Sequence, residues 1–320
     1  MKPLIIDPAL FRPEAVSEET RRFNEIARIQ LAQAPDPWAV TPAQARKARA
    51  EGKGFFPLEK AEPTAKTLTI NGPAGPLELR HFTPKGGGGG GTFLHFHGGG
   101  WQVGAANAHD VRLQEMADRT GLHVLSVEYR LAPEHPYPAA PDDCEAAALW
   151  LVGEASGFHA PYFLGGESAG AHLATCTLLR LRDRHDLSPF TAAILTAGVY
   201  DLGLTASAKN WGAEKLVLNS RDMLMFTRGF LQNGEDRRNG HVSPLYANLH
   251  GLSPALFSVG TEDLLLDDTL MMATRWHAAN GNAQLDITPG GCHVFQSLRN
   301  LKIAQDSNQR IDDYLTNQLG

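Results

Sequence analysis

Three side chains with the chemistry of a nucleophile, a base and an acid stand far apart in this chain. Ser168 lies in Gly166-Glu167-Ser168-Ala169-Gly170, Asp263 in Gly260-Thr261-Glu262-Asp263, and His293 in Gly290-Gly291-Cys292-His293-Val294-Phe295. A serine hydroxyl attacks poorly until a base takes its proton, and that base works best when a carboxylate fixes its tautomer and stabilises its charged form. A fourth patch, His97-Gly98-Gly99-Gly100-Trp101, supplies glycines at the place where backbone N–H groups must come close to a developing oxyanion. The amides of Gly99, Gly100 and Ala169 are the expected donors, each worth roughly 3–4 kcal/mol in a transition state. The four patches in this order predict acyl transfer through a covalent serine intermediate.

Such a set works only if strands and turns deliver it to one edge of a sheet. Short apolar or alternating runs bounded by Gly, Pro or Asn predict eight strands, at 67–71, 77–83, 92–97, 123–129, 162–167, 192–198, 255–260 and 284–289. Helical patterns lie between most of them, at about 107–120, 139–155, 169–183, 266–280 and 295–316. Strand–helix alternation implies a mostly parallel sheet with helices on both faces, an α/β class. The first two strands, joined by Asn71-Gly72-Pro73-Ala74-Gly75 with no helix between them, should pair antiparallel. Ser168 then falls on a strand-to-helix turn, Gly98 to Gly100 at the end of the third strand, Asp263 after the seventh and His293 after the last.

Before the sheet, Ser17-Glu18-Glu19-Thr20 opens a helix carrying Phe23, Ile26, Ile29 and Leu31, and Thr41 is placed to cap a second one over Pro42 to Ala50. Roughly 55 residues separate the sixth and seventh strands, too many for a simple crossover. They include Trp211, Leu216, Met223, Met225, Phe226 and Phe230, and suggest an inserted cap over the site. The expected organisation is a cap made of 1–55 and 200–240, with the core formed by 56–199 and 241–320. Trp101, Trp211 and Phe226 are the candidate substrate-binding side chains.

Several rival roles are weaker. Asp267 and Asp268 fall about one turn into the helix after Asp263, where capping or a surface position is the plainer role, and Glu262 should point elsewhere. His241, His250 and His277 lie in the cap exit, a loop and mid-helix. Cys292 stands beside the base but the nucleophile position is already filled. His95-Phe96-His97 lacks a third ligand, so no metal is expected. Gly86 to Gly91 has no Lys-Ser or Lys-Thr after it and leads into a strand, so it reads as a surface connection rather than a phosphate loop.

Composition excludes further classes. The net charge of -6, from 29 basic and 35 acidic residues well interspersed, leaves no basic stripe for nucleic acid. Pro3 and Asp7 break the first apolar stretch before a secretory segment can form, and no 18-residue apolar run offers a membrane span. Cys144, Cys176 and Cys292 are too few and scattered for a disulfide framework, which fits a reducing cytoplasm.

These patches, with Tyr129-Arg130-Leu131-Ala132-Pro133-Glu134, Ser243-Pro244-Leu245 and Asp263-Leu264-Leu265-Leu266-Asp267, make the chain from His95 onward resemble the hormone-sensitive-lipase family of α/β-hydrolase carboxylesterases, its bacterial branch in particular. The resemblance implies an α/β-hydrolase fold with a helical cap. It also implies Ser168, Asp263 and His293 as catalytic residues, no cofactor, a small ester substrate, and a structural brace between Arg130 and Asp143 near the oxyanion loop. A homodimer through the edge of the last strand is common among similar proteins and would cover that edge. Glu167, Ala171 and Leu264 depart from the family's commoner aspartate, glycine and proline, and bear on substrate range. Lipase, amidase or lactonase activity with the same triad, or a non-catalytic ligand receptor, are the alternatives. Because His293 must be neutral to act as base, activity should fall below about pH 6.5.

Overall fold

The computed structural model describes residues 3–56 and 61–319. Met1 and Lys2, residues 57–60 at the expected start of the core, and Gly320 lie outside the described residues.

Among the described residues eight strands form one sheet: β1 (Lys66–Gly72), β2 (Gly75–Phe82), β3 (Thr92–Phe96), β4 (His123–Val127), β5 (Tyr162–Glu167), β6 (Phe190–Thr196), β7 (Ala255–Glu262) and β8 (Ala283–Cys292). Their spatial order is β1-β2-β4-β3-β5-β6-β7-β8. β2 pairs antiparallel with both β1 and β4, and every pair from β4 to β8 is parallel. The central strands are buried on both faces, so their side chains sort by alternation. Phe93, Val124 and Phe163 join one apolar cluster with Leu113 and Met116 of α3 (Asp110–Thr120) and Ile311 and Leu315 of α9 (Lys302–Asn317). Leu94, Leu125 and Leu164 face the opposite way, toward α4 (Ala139–Gly153), α5 (Ala169–His185) and α8 (Leu266–Asn280). α5 runs beneath the sheet's centre and buries every residue from Ala169 to Leu181.

α1 (Glu18–Gln33) starts on Ser17, whose side chain accepts from the Thr20 amide, and α2 (Pro42–Ala50) starts on Thr41 in a reciprocal capping box with Gln44. Between β6 and β7 the chain forms α6 (Ala206–Asn210) and α7 (Ser220–Phe230). Among the described residues no helix is long and apolar enough to cross a membrane.

Two helices differ from expectation. α3 begins at Asp110, not near 107, because His109 turns its ring to Glu167 while Glu128 takes the Ala106 amide, leaving residues 106–109 in turns. The segment expected as one helix over 295–316 is a short 3-10 turn, Phe295–Ser297, followed by α9. Phe295 and Leu298 are buried in a cluster with Ala27, Leu216 and Ala304, and seating them there draws the chain off a single helical axis.

Candidate active site

Ser168 is held in a conformation that the local sequence must force. It follows β5 and caps α5 with φ +56° and ψ −118°, a region that L residues rarely occupy. Its amide donates to the Thr196 carbonyl at 2.9 Å, and its carbonyl accepts from His172 at 3.2 Å. The turn is tight enough that a Cβ on Gly170 would sit 1.9 Å from the Phe96 carbonyl oxygen, and one on Gly166 would sit 2.1 Å from the same atom. Those glycines therefore let β3 and the serine turn touch.

The structure brings the four sequence patches together. His293 Nε2 lies 2.9 Å from Ser168 Oγ, and its Nδ1 lies 3.0 and 3.1 Å from the two carboxylate oxygens of Asp263. An ionised carboxylate only accepts, so the proton sits on Nδ1 and the Nε2 lone pair faces the serine hydroxyl. The Leu265 amide donates to Asp263 at 2.9 Å and holds that carboxylate in place. Asp263 and His293 are 2% and 3% exposed, and Ser168 7%, so the relay is shielded but its nucleophile reaches the cavity.

The glycine loop after β3 presents Gly99 at φ +113° and Gly100 at φ +59°. A side chain at Gly99 would place its Cβ 2.1 Å from the Val103 carbonyl oxygen. Among the described residues the amides of Gly99, Gly100 and Ala169 have no protein acceptor, and all three residues lie close about Ser168 or line the same cavity. Backbone donors left free at a serine turn are suited to an anionic oxygen.

Beside the expected Arg130–Asp143 brace, a second brace under this loop, built on Glu167, has no counterpart among the sequence expectations. Glu167 accepts from the Gly98 amide at 2.5 Å and pairs with His95 Nε2 at 2.9 Å and His109 Nε2 at 3.1 Å. Burial alone would raise its pKa, yet the charges and hydrogen bonds of His109 and His95 hold it well below the usual carboxylate range. His95 Nδ1 is engaged by Ser126 at 2.9 Å. Tyr129 stacks on His97 at 4.1 Å, donates to the His97 carbonyl at 2.6 Å, and leads into Arg130, which forks onto Asp143. Burial drives the His97 ring down to about 3, so it is neutral. Here two histidines face a carboxylate they hydrogen-bond, and among the described residues no three His, Cys, Asp or Glu groups are placed to hold a metal ion. The signal for the brace was present as a glutamate beside the serine and a nearby histidine, but nothing in the spacing showed that they converge on Gly98.

The other candidates sort by burial. Asp267 accepts from the Ser207 amide at 2.8 Å and so caps α6. Asp268 is not a surface residue: it is fully buried, and accepts from the amides of Tyr200 at 2.6 Å and Asp201 at 2.9 Å and from the Thr205 hydroxyl. Burial pushes its carboxyl up to about 7 against the pull of those donors. Glu262 turns to Arg28. Burial pushes the Cys292 thiol up to about 12, far from a thiolate at neutral pH.

Over Ser168 lies a cavity of about 1140 Å³, walled by α1, α2, α7 and the loops between them. Phe226 is on its wall, packed edge-on to Trp38 at 4.8 Å and against the face of Gly100. Trp211 is not on the wall; its Nε1 donates to the Glu214 carbonyl at 3.0 Å and it packs outside. Trp101 borders the cavity, but its indole is fully buried, stacked on Phe230 at 4.5 Å with Nε1 donating to His172. An apolar ring in the glycine loop therefore serves the core beneath it.

A family model described as the alpha/beta hydrolase fold matches residues 93–297. The carboxylic ester hydrolase LipN of Mycobacterium tuberculosis is 34% identical over 244 residues, which are 72% of this chain and 64% of that protein. An acetyl esterase of Salmonella typhi is 28% identical over 261 residues, 80% of each chain. Among solved structures, a hormone-sensitive lipase from a metagenome library superposes with a TM-score of 0.82 at 28% identity, covering 94% of this chain and 98% of that one. The hyperthermophilic esterase of Pyrobaculum calidifontis gives 0.84 at 25% identity, with 95% and 99% covered.

Proposed function

We infer that this chain, which belongs to the α/β-hydrolase family and is a carboxylic ester hydrolase of its hormone-sensitive-lipase-like branch, cleaves short- to medium-chain esters through an acyl-enzyme on Ser168. The observation that carries this reading is His293 Nε2 at 2.9 Å from Ser168 Oγ with Nδ1 on Asp263. In it, His293 takes the hydroxyl proton as Ser168 attacks the ester carbonyl, and Asp263 stabilises the resulting imidazolium. The amides of Gly99, Gly100 and Ala169 receive the oxyanion. His293 returns the proton to the departing alcohol, then activates the water that releases the acid. No cofactor takes part.

Residues 1–55 and 200–240 act as the cap and set the chain length accepted, with Phe226 at the mouth of the acyl space. A cavity of this size, walled by Trp38, Met223 and Phe226, supports esters of modest length. Three buried free cysteines favour a cytoplasmic protein, and β8, at one end of the sheet, is the edge for a homodimer. Hydrolysis of p-nitrophenyl esters from acetyl to palmitoyl by wild type and Ser168→Ala tests this. Short-chain turnover lost by about 10⁴-fold or more in the variant is expected; a fully active variant, or a preference for emulsified long-chain triglyceride, overturns the reading or its chain-length part.

A further inference from the structure

We propose that the cavity holds an anion subsite built on Arg49, and that the preferred substrates are esters carrying a free carboxylate at the end remote from the scissile bond. This rests on the serine-esterase reading above.

Charge on the cavity wall is almost fully paired. Arg28 is bound by Glu214 and Glu262, Lys53 by Glu51, Lys215 by Asp222 and Arg221 by Asp36. Glu167 is engaged by His95, His109 and the Gly98 amide. Arg49 of α2 lines the same wall as Ser168 and has no hydrogen bond or ion pair among the described residues. Its stem runs beside Gly54, while its side chain is open to the space of the cavity.

An ordinary surface arginine keeps its full hydration, and its lack of a partner means nothing. Arg49 differs by its place: it stands on the wall of the cavity over Ser168, near enough for the fields of Glu167 and Tyr129 to act on it, while desolvation lowers its pKa against them. A guanidinium on the wall of a reaction cavity with no counter-ion is poised for a carboxylate, which it grips through two parallel N–H donors. The carboxylate whose field reaches it, Glu167, is already engaged by His95, His109 and the Gly98 amide, so the guanidinium is left for a ligand. Arg228 of α7 lines the cavity too and likewise shows no pairing, so the local charge facing a bound ester is positive. An uncharged acyl chain makes no use of this arrangement, whereas a half-ester of a dicarboxylic acid does.

The test compares mono-p-nitrophenyl esters of succinic, glutaric and adipic acids with p-nitrophenyl butyrate, using wild type, Arg49→Gln and Arg49→Lys. For at least one half-ester, the ratio of its kcat/KM to that of butyrate falls at least tenfold in Arg49→Gln, mostly through KM, and recovers in part in Arg49→Lys. α2 buries no residue, so the variants keep their fold, which circular dichroism checks. An unchanged ratio across all three lengths overturns the subsite. Binding reads it independently of turnover: in the Ser168→Ala protein, calorimetry should give monomethyl glutarate a Kd at least fivefold tighter than dimethyl glutarate, lost on adding Arg49→Gln. Equal Kd values overturn the subsite; inert wild type on butyrate with that preference intact overturns the esterase reading alone.

Discussion

The floor and the roof of the cavity are built on different principles. Beneath Ser168, α5 buries thirteen residues in succession from Ala169 to Leu181, and the polar groups at the sheet edge are fixed by several partners each. Above it, α1 buries only Thr20, Asn24 and Ala27, and α2 buries nothing. The roof is tied down largely by polar side chains: Trp38 Nε1 to Asp222 at 2.7 Å, Arg221 to Asp36 at 2.9 Å, Asn24 to the Gly290 carbonyl at 2.8 Å, and Arg46 to the Gln102 carbonyl at 2.9 Å. Reaction geometry is thus locked by core packing, while the roof is held by fewer buried residues.

That contrast can be broken from the floor upward. Glu167→Gln keeps the shape under the glycine loop but removes the charge that both histidines and Gly98 point at. It should cost roughly 2–3 kcal/mol of stability and lower kcat by about 10- to 100-fold, by misaiming the loop amides. Because the folded carboxyl titrates below its unfolded value, its stabilisation is complete above the ordinary glutamate pKa and disappears as pH falls through the folded one. The deficit of Glu167→Gln in urea unfolding should therefore be largest at neutral pH and shrink in acid.

Asp268 has the opposite sign. Its carboxyl titrates at about 7 in the folded protein against an ordinary value of 3.8, so the native state holds a proton that the unfolded state has released, and stability falls as pH rises between those values. Asp268→Asn presents the same amide-accepting oxygen without the ionisation. Its Tm should lie near wild type at pH 5 and rise above it at pH 8, a relative gain on the order of 1–3 kcal/mol. Parallel Tm–pH curves would remove Asp268 from the account.

Changes in the roof should cost less stability than Glu167→Gln and alter selection. Phe226→Ala takes a half-buried ring from Gly100 and Trp38. It should raise KM for butyryl esters several-fold and shift preference toward longer acyl chains, at a cost of about 1–2 kcal/mol. Arg221→Ala, which breaks one exposed ion pair, should change neither Tm nor kcat/KM measurably. A large loss from Arg221→Ala would mean that the roof is as tightly built as the floor.

The same division governs what could be read from sequence. The eight strands, the antiparallel start of the sheet and the meeting of Ser168, Asp263 and His293 follow from periodicity and turn residues, because backbone geometry at a sheet edge leaves few alternatives. Side-chain direction was not legible. Trp101 and Trp211 are aromatic and near the site in sequence, yet one ring stacks inward on Phe230 and the other packs outside the wall. Asp268 looked like a surface residue because its place in the first turn of α8 does not reveal that the loop after β6 closes over it. The Glu167 brace depends on β3, β5 and the residues before α3 meeting in space, a long-range fact that no local pattern carries.

The central claim is that Ser168 is the nucleophile driven by His293. The most direct measurement is stoichiometric inactivation by diethyl p-nitrophenyl phosphate, followed by mass spectrometry of the proteolysed protein. One diethylphosphoryl group on the peptide containing Gly166 to Gly170, slowed strongly in His293→Ala and absent in Ser168→Ala, is the predicted result. A label on another residue, or one that persists in Ser168→Ala, would contradict it.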